Sequence, residues 1–223
     1  MIVAIDGTVS SGKSTIAREL AKYIGFLHIN TGAIYRALTV KFLNNNIKPD
    51  ELEKIKNAIM STIIDMKHVD NATKIFIDGN DVTQIINTPV ISQNVSHYSK
   101  IPEVRGFARF LQHQFAGANN CVIEGRDIGT VVFPNADVKI FMTADVDVRA
   151  KRRLTDYEKQ GKTFTLEEVK AEILARDKED EERPISPLKP AKDAFIYYNN
   201  GSDIKKVILD LVQIIENKTG YKI

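Results

Sequence analysis

Apolar positions along the chain fall into two kinds of segment that alternate. Ile2-Val3-Ala4-Ile5 is a nearly continuous apolar run that stops at Asp6-Gly7, which suits a strand buried on both faces. From Gly12 to Ile24 the spacing turns helical, with Ile16, Leu20 and Ile24 apolar at steps of four. Residues 26–29 read as a second strand, and Thr31 opens another helix with Ala33, Ile34, Ala37, Leu38 and Phe42 on its apolar side. Strands recur at 121–123, 138–142 and 194–198, and helices are expected over 104–115, 146–159, 166–178 and 204–216. Strands alternating with helices over the whole length predict an α/β protein: a doubly wound parallel sheet with helices on both faces.

Two regions break the alternation. Lys74-Ile75-Phe76-Ile77, Asp78-Gly79-Asn80-Asp81 and Val82-Thr83-Gln84 read as two short strands around a turn. This antiparallel element is expected to be inserted between the second and third core strands. Pro184, Pro187 and Pro190 exclude a helix there and predict an extended loop.

Composition narrows the function classes. Of 223 residues, 43% are hydrophobic and the net charge is +2, so disorder is excluded and a polynucleotide binder is not expected. No run of apolar residues is long enough to span a bilayer. The sequence runs from Met1 straight into a strand-like segment, so no secretory leader is expected, and a single cysteine, Cys121, makes no internal disulfide. A cytoplasmic location is therefore expected, with Cys121 as a small buried hydrophobe. Charge is unevenly spread: between Arg149 and Lys192, 22 of 44 residues are charged, a density expected to leave little for a core. That stretch is read as a mobile lid, solvated when open.

The strongest chemical signal is Gly7-Thr8-Val9-Ser10-Ser11-Gly12-Lys13-Ser14-Thr15, which carries the spacing G-x-x-x-x-G-K-[ST] of a phosphate-binding loop between a strand and a helix. Its glycines let backbone N–H groups turn inward around an anion at a helix N-terminus. Lys13 reaches the β/γ-phosphates, and the Ser14 hydroxyl can ligate Mg²⁺. A nucleoside triphosphate ligand follows. Further groups suited to phosphate or base are Thr31 and Arg36, Arg105, the Gly125-Arg126-Asp127 run, and Arg176, Asp180 and Arg183. Two of these sets directly follow core strands, where open α/β sheets bind ligands.

Together, residues 7–15, Asn30-Thr31-Gly32-Ala33-Ile34-Tyr35-Arg36, the run from Glu124 to Pro134 and residues 176–183 resemble bacterial cytidylate kinases, members of the P-loop nucleoside-monophosphate kinases. The likeness covers essentially the whole chain, and residues 124–134 are its most specific part. It implies phosphoryl transfer from ATP, with Mg²⁺, to CMP or dCMP. The implied fold is a P-loop NTPase-type sheet with an inserted acceptor-binding subdomain, containing the small antiparallel element, and a short helical lid. The expected divisions are 1–35, 105–150 and 191–223 for the core, 36–104 for the insertion and 151–190 for the lid. By resemblance, Lys13, Arg126, Asp127 and Arg183 are catalytic. Arg36, Arg126 and Arg183 hold the acceptor phosphate, with Thr31 near the acceptor. Ser96, Arg105 and Asp127 read cytosine, and Arg176 with Asp180 holds the ribose. No polymer, membrane or subunit partner is implied, so a monomer is expected.

The chain departs from the family pattern at three places. Thr31 stands where Ser is frequent, Glu124 where Asp is usual, and residues 176–183 hold fewer arginines than in many relatives. Arg152 and Arg153, on the helix entering the charged stretch, are the candidates for the cation that reaches the transferring phosphoryl. The residues alone leave open a P-loop kinase for UMP or a small metabolite, with Asp127 as base for a hydroxyl. A non-enzymatic nucleotide switch stands further off, since no guanine-reading N-K-x-D motif is present. His28, His68, His97 and His113 lie outside the matching motifs and are expected to be structural or superficial.

Overall fold

A computed structural model describes residues 1–69, 72–201 and 203–223. In chain order its elements are β1 (Ile2–Gly7), α1 (Lys13–Ile24), β2 (Leu27–Asn30), α2 (Thr31–Asn44), α3 (Leu52–Met60), β3 (Ile64–Val69), β4 (Ala72–Ile77) and β5 (Asn80–Asp81). These are followed by α4 (Pro89–Ser99), α5 (Pro102–Ala116), β6 (Cys121–Gly125), β7 (Val138–Thr143), α6 (Val146–Lys159), α7 (Leu166–Glu182), β8 (Phe195–Tyr198) and α8 (Ile204–Thr219). A 3₁₀ turn at Ile85–Asn87 and a π turn at Ile128–Val132 complete the list. The chain divides into two compact units: Met1–His28 with Asn119–Ile223, and Ile29–Ala118.

The first unit is built on a five-stranded sheet in the order β2-β6-β1-β7-β8. β1 pairs in parallel with β6, Ile5 opposite Glu124 and Asp6 opposite Gly125, and in parallel with β7 on its other side. Its continuous apolar run is what a central strand requires, because Val3 and Ile5 are both fully buried. Ile16, Leu20, Val122, Ile140, Val207 and Leu211 pack with them into one core.

The charge-rich stretch does contain a core, contrary to the expectation from its composition. α6 and α7 bury Ala150, Tyr157, Val169 and Ile173 between them, and Val9, Val146, Leu154 and Leu166 pack against this cluster. Few apolar residues suffice because they share one helix face, while the charges cover the others. α7 starts on a capping box, Thr165 accepting from the Glu168 amide while the Glu168 carboxylate accepts from the Thr165 amide. It runs beyond Lys178, where the periodicity predicted its end, to Glu182. The stop comes from Pro184, which holds Arg183 in an extended conformation at φ −61°, ψ 136°.

The second unit packs α2 to α5 with a three-stranded antiparallel sheet in the order β3-β4-β5. Its core includes Ile34, Leu38, Phe42, Ile55, Ile75 and Val104. The expected hairpin is present but shifted. The return strand is Asn80–Asp81, with Ile77 opposite Asn80, and Val82 leaves the strand to bury its side chain. Asp81 Oδ1 accepts from the Thr83 amide at 2.9 Å, a local turn just past the strand, while the Val82 amide still donates to the Ile75 carbonyl of β4 at 3.0 Å. β3, on the other side of β4, is a third strand that the hairpin reading did not include. The 36–104 insertion expected from the sequence falls inside this unit.

Candidate active site

In the first unit, the loop after β1 takes its shape from two close approaches. A Cβ on Gly7 would sit 1.9 Å from the Met142 carbonyl oxygen, so only glycine lets the loop leave the sheet there. Gly12, at φ 88°, would place a Cβ 2.7 Å from Asn199 Nδ2. Ser11 Oγ donates to the Thr8 carbonyl at 3.0 Å, and Lys13 Nζ donates to the same oxygen at 3.1 Å. Lys13 is buried. Desolvation, with the Arg126 guanidinium nearby, pushes its pKa down to about 7. The Glu124, Asp180 and Asp6 carboxylates offset this only in part.

Ser14 Oγ, at the start of α1, donates to Glu124 Oε2 at 2.5 Å. The other Glu124 oxygen, Oε1, lies 3.3 Å from His28 Nε2 at the end of the first segment. Burial alone would raise the Glu124 pKa. The His28 hydrogen bond and the His28 and Lys13 charges outweigh it and hold the carboxyl below its ordinary range. Hydroxyl and carboxylate are hard oxygen donors side by side, a set that suits Mg²⁺. Among the described residues no group of three or more His, Cys, Asp or Glu could hold a metal.

Beyond β6 the chain makes the π turn, whose first amides are captured by Asp6. Ile128 N and Gly129 N donate to its two carboxylate oxygens, each at 2.8 Å. Desolvation, against which these bonds act, pushes the Asp6 pKa up to about 6. The intervening Arg126 and Asp127 are thereby held on a short arc. Arg126 Nε donates to Asp180 Oδ2 at 2.9 Å. Arg176 Nε lies 3.6 Å from the same oxygen, and Arg183 sits 3.9 Å from both Asp180 Oδ1 and Asp127 Oδ1. Burial would raise the Asp180 pKa, but Arg126, Arg176 and Arg183 hold it below the ordinary carboxylate range. The fold thus brings Arg126, Asp127, Arg176, Asp180 and Arg183 into one cluster. The extension of α7 beyond Lys178 puts Asp180 there, one helical turn from Arg176.

Arg152 also reaches the loop, donating to the Ser11 carbonyl at 3.2 Å and the Asn199 carbonyl at 2.9 Å. Arg153 lies instead over the Tyr157 ring, 4.5 Å from its centroid, and pairs with Glu172 at 3.5 Å. In the second unit, Asn30 Oδ1 caps α2 by accepting from the Ala33 amide at 3.1 Å, which sets Thr31 at the helix start. Arg36 lies one turn on, with Nη1 3.6 Å from where a Gly32 Cβ would be. Ser96 is buried on α4. Arg105 is buried on α5, donating to the Ser99 carbonyl at 3.1 Å, with its guanidinium 5.7 Å from the Tyr35 ring centroid.

The sequence reading missed His28, Asp6, Arg149, Asp177 and Asn199. His28 lies outside the spaced motifs, yet it contacts Glu124; the His68 side chain lies outside the described residues. Asn199 directly follows β8, so the strand-end rule could have found it.

A family model described as Cytidylate kinase matches residues 3–217. The chain belongs to the cytidylate kinase family. The cytidylate kinase of Carboxydothermus hydrogenoformans is 44% identical over 218 residues, covering 98% of each chain. That of a Thermotoga species is 39% identical, covering 97% of each. Among solved structures, the chain resembles shikimate kinase from Bacteroides thetaiotaomicron with a TM-score of 0.50 at 12% identity, covering 97% of this chain and 98% of that one. That likeness is one of fold: a parallel sheet carrying a P-loop. Membership of the cytidylate kinase family makes the chain a nucleotide-binding phosphotransferase. No helix among the described residues is long and apolar enough to cross a membrane.

Proposed function

We propose that this chain transfers the γ-phosphoryl group of ATP to CMP or dCMP, giving ADP and CDP or dCDP. The observation that carries the reading is the arginine cluster around Asp180, held by Asp6 and α7 in the same unit as the phosphate loop. Residues 7–15 hold the triphosphate through backbone N–H groups and Lys13, with Arg152 at the loop's edge. Arg126 and Arg183 take the acceptor phosphate, for which planar guanidinium forks are better suited than ammonium groups. Asp180 holds Arg126 in position until the nucleotide arrives, then shares with Arg176 the task of orienting the ribose. Arg36 and Thr31 serve the acceptor phosphate from α2.

An acceptor phosphate oxygen is ionised at neutral pH, so the chain needs no strong general base; positioning and charge stabilisation suffice. Asp127 accepts from the cytosine amino group, while Arg105 and Ser96 serve the rest of the base edge. Ser14 and Glu124 are the residues that would hold Mg²⁺, which neutralises triphosphate charge when bound. The chain acts as a monomer in the cytoplasm on this reading.

The test is ADP release measured across CMP, dCMP, UMP, AMP and an alcohol such as shikimate. CMP and dCMP are expected to turn over best. Absence of turnover with both at saturating Mg-ATP overturns the proposal, and a preference for UMP moves the specificity elsewhere. Arg126→Ala is expected to lose about 2–4 kcal/mol of transition-state binding, the range for a charged contact in a closed site.

A further inference from the structure

The top of the phosphate loop is tied to α6 and α7 by a buried ion pair. Asp177 Oδ1 accepts from the Val9 amide at 3.3 Å. Arg149 Nη1 donates to Asp177 Oδ2 at 2.5 Å and to the Val9 carbonyl at 3.2 Å, while Arg149 Nε donates to the Ala144 carbonyl at 2.9 Å. Both residues are buried, with side chains 7% and 10% exposed. The Val9 side chain packs on the α6–α7 core. Three attachments therefore converge on one residue of the loop: its N–H, its C=O and its side chain.

The charges make this more than a strut. Asp177 places a buried carboxylate against a loop whose task is to surround a polyanion. Among the described residues its ion-pair partner is Arg149 alone. We propose that Arg149 and Asp177 are positioning residues for ATP: Asp177 fixes the Val9 amide, and Arg149 neutralises Asp177 so that the loop accepts phosphate. Among the described residues the side-chain hydrogen bonds and ion pair of Arg149 and Asp177 run to each other, Val9 and Ala144 and to none of the acceptor cluster, so their effect falls on ATP and not on CMP. The inference rests on the assignment of residues 7–15 as the ATP site.

The charge logic gives a signature that a merely structural pair does not. Arg149→Met leaves an uncompensated buried carboxylate beside the loop and is expected to weaken ATP binding by about 30-fold or more, the loss typical of stranding one partner of a buried charge pair. Asp177→Asn removes the carboxylate and keeps an acceptor for the Val9 amide, so ATP affinity falls by less than about 5-fold on the scale of one neutral hydrogen bond. The double variant is expected to bind ATP at least about 5-fold more tightly than Arg149→Met alone, a coupling of the size seen for contacting residues. Binding is read by titration calorimetry with ATP, alongside the KM for ATP and for CMP. The KM for CMP is expected to stay within about 2-fold throughout, as for sites without shared partners.

Additive losses in the double variant, an unchanged ATP affinity in Arg149→Met, or equal rises in both KM values overturn the proposal. Should Arg149→Met fail to fold, Arg149→Lys replaces it: the charge remains, and ATP affinity must stay within about 5-fold of the parent if neutralisation is the task. A larger loss for Lys overturns it. Failure of the parent chain to bind ATP would instead overturn the ATP assignment itself.

Discussion

Asp6→Asn separates the energetic and the positioning roles of a carboxylate that sits under the site. Asp6 is 5% exposed, and its pKa is raised from 3.8 to about 6, chiefly by desolvation. A raised folded-state pKa means stability that is fully present below the unfolded value and lost as pH rises through the folded one. The shift of about two units corresponds to about 3 kcal/mol at 1.36 kcal/mol per unit. About two-thirds of it, or ~2 kcal/mol, falls between pH 4.5 and 7 by the linkage relation. Asparagine does not titrate there, so subtracting the variant's unfolding free energy from the parent's isolates Asp6 from every other carboxylate. Urea unfolding of both proteins at half-unit pH steps supplies the difference. It should shrink, or become more negative, by about 2 kcal/mol from pH 4.5 to pH 7. A flat difference, or one that grows with pH, refutes the account of Asp6 as a carboxylate ionised at the expense of the fold. Asparagine also places an NH₂ against the Ile128 or Gly129 amide. The arc carrying Arg126 and Asp127 should therefore loosen, and the KM for CMP should rise more than that for ATP.

Three other substitutions test separate parts of the argument. Gly7→Ala forces a Cβ into the Met142 carbonyl; it should lose upwards of ~3 kcal/mol of stability or fail to fold, as thermal melting will show, and a parent-like melting point refutes the close approach. Asp180→Asn weakens the hold on Arg126, Arg176 and Arg183. Steady-state kinetics should give a KM for CMP raised about tenfold or more with ATP little affected, as expected for breaking charged hydrogen bonds. Thr165→Ala removes the α7 capping box. It should lower stability by about 1 kcal/mol in urea unfolding, and leave kcat within twofold.

Much of the fold is legible because buried parallel strands have a plain signature. β1, β6 and β7 are short runs apolar on both faces, and the helices between them repeat at three and four residues. β3 escaped because Asp65 and Lys67 alternate with Ile64 and Met66, a half-buried pattern short enough to pass for loop. The end of α7 escaped because Asp177, Asp180 and Glu182 show no apolar period, and only the proline that follows marks the stop. In the candidate site, the residues that stand in spaced motifs are legible as candidates: residues 7–15, Arg126, Asp127, Arg176, Asp180 and Arg183. His28, Asp6, Arg149 and Asp177 were not. Their work is to contact other functional groups across the fold, Asp177 reaching Val9 from 168 positions away, and such pairings leave no local spacing to recognise.

That distance has a bearing on how the protein is made. The phosphate loop leaves the ribosome well before β6, which pairs with β1 beside it, Ile2 opposite Cys121, and follows only after residues 29–118. The carboxylate that fixes Val9 comes later still. A nascent chain holding only the glycines and Lys13 has the motif without the cradle, because nothing yet fixes its amides. Closing so long a loop is entropically slow unless the intervening residues have already folded into a body that brings their two ends near. Triphosphate binding should then be among the last properties to appear in refolding. Appended nucleotide would speed no early step and would act only on the nearly finished molecule.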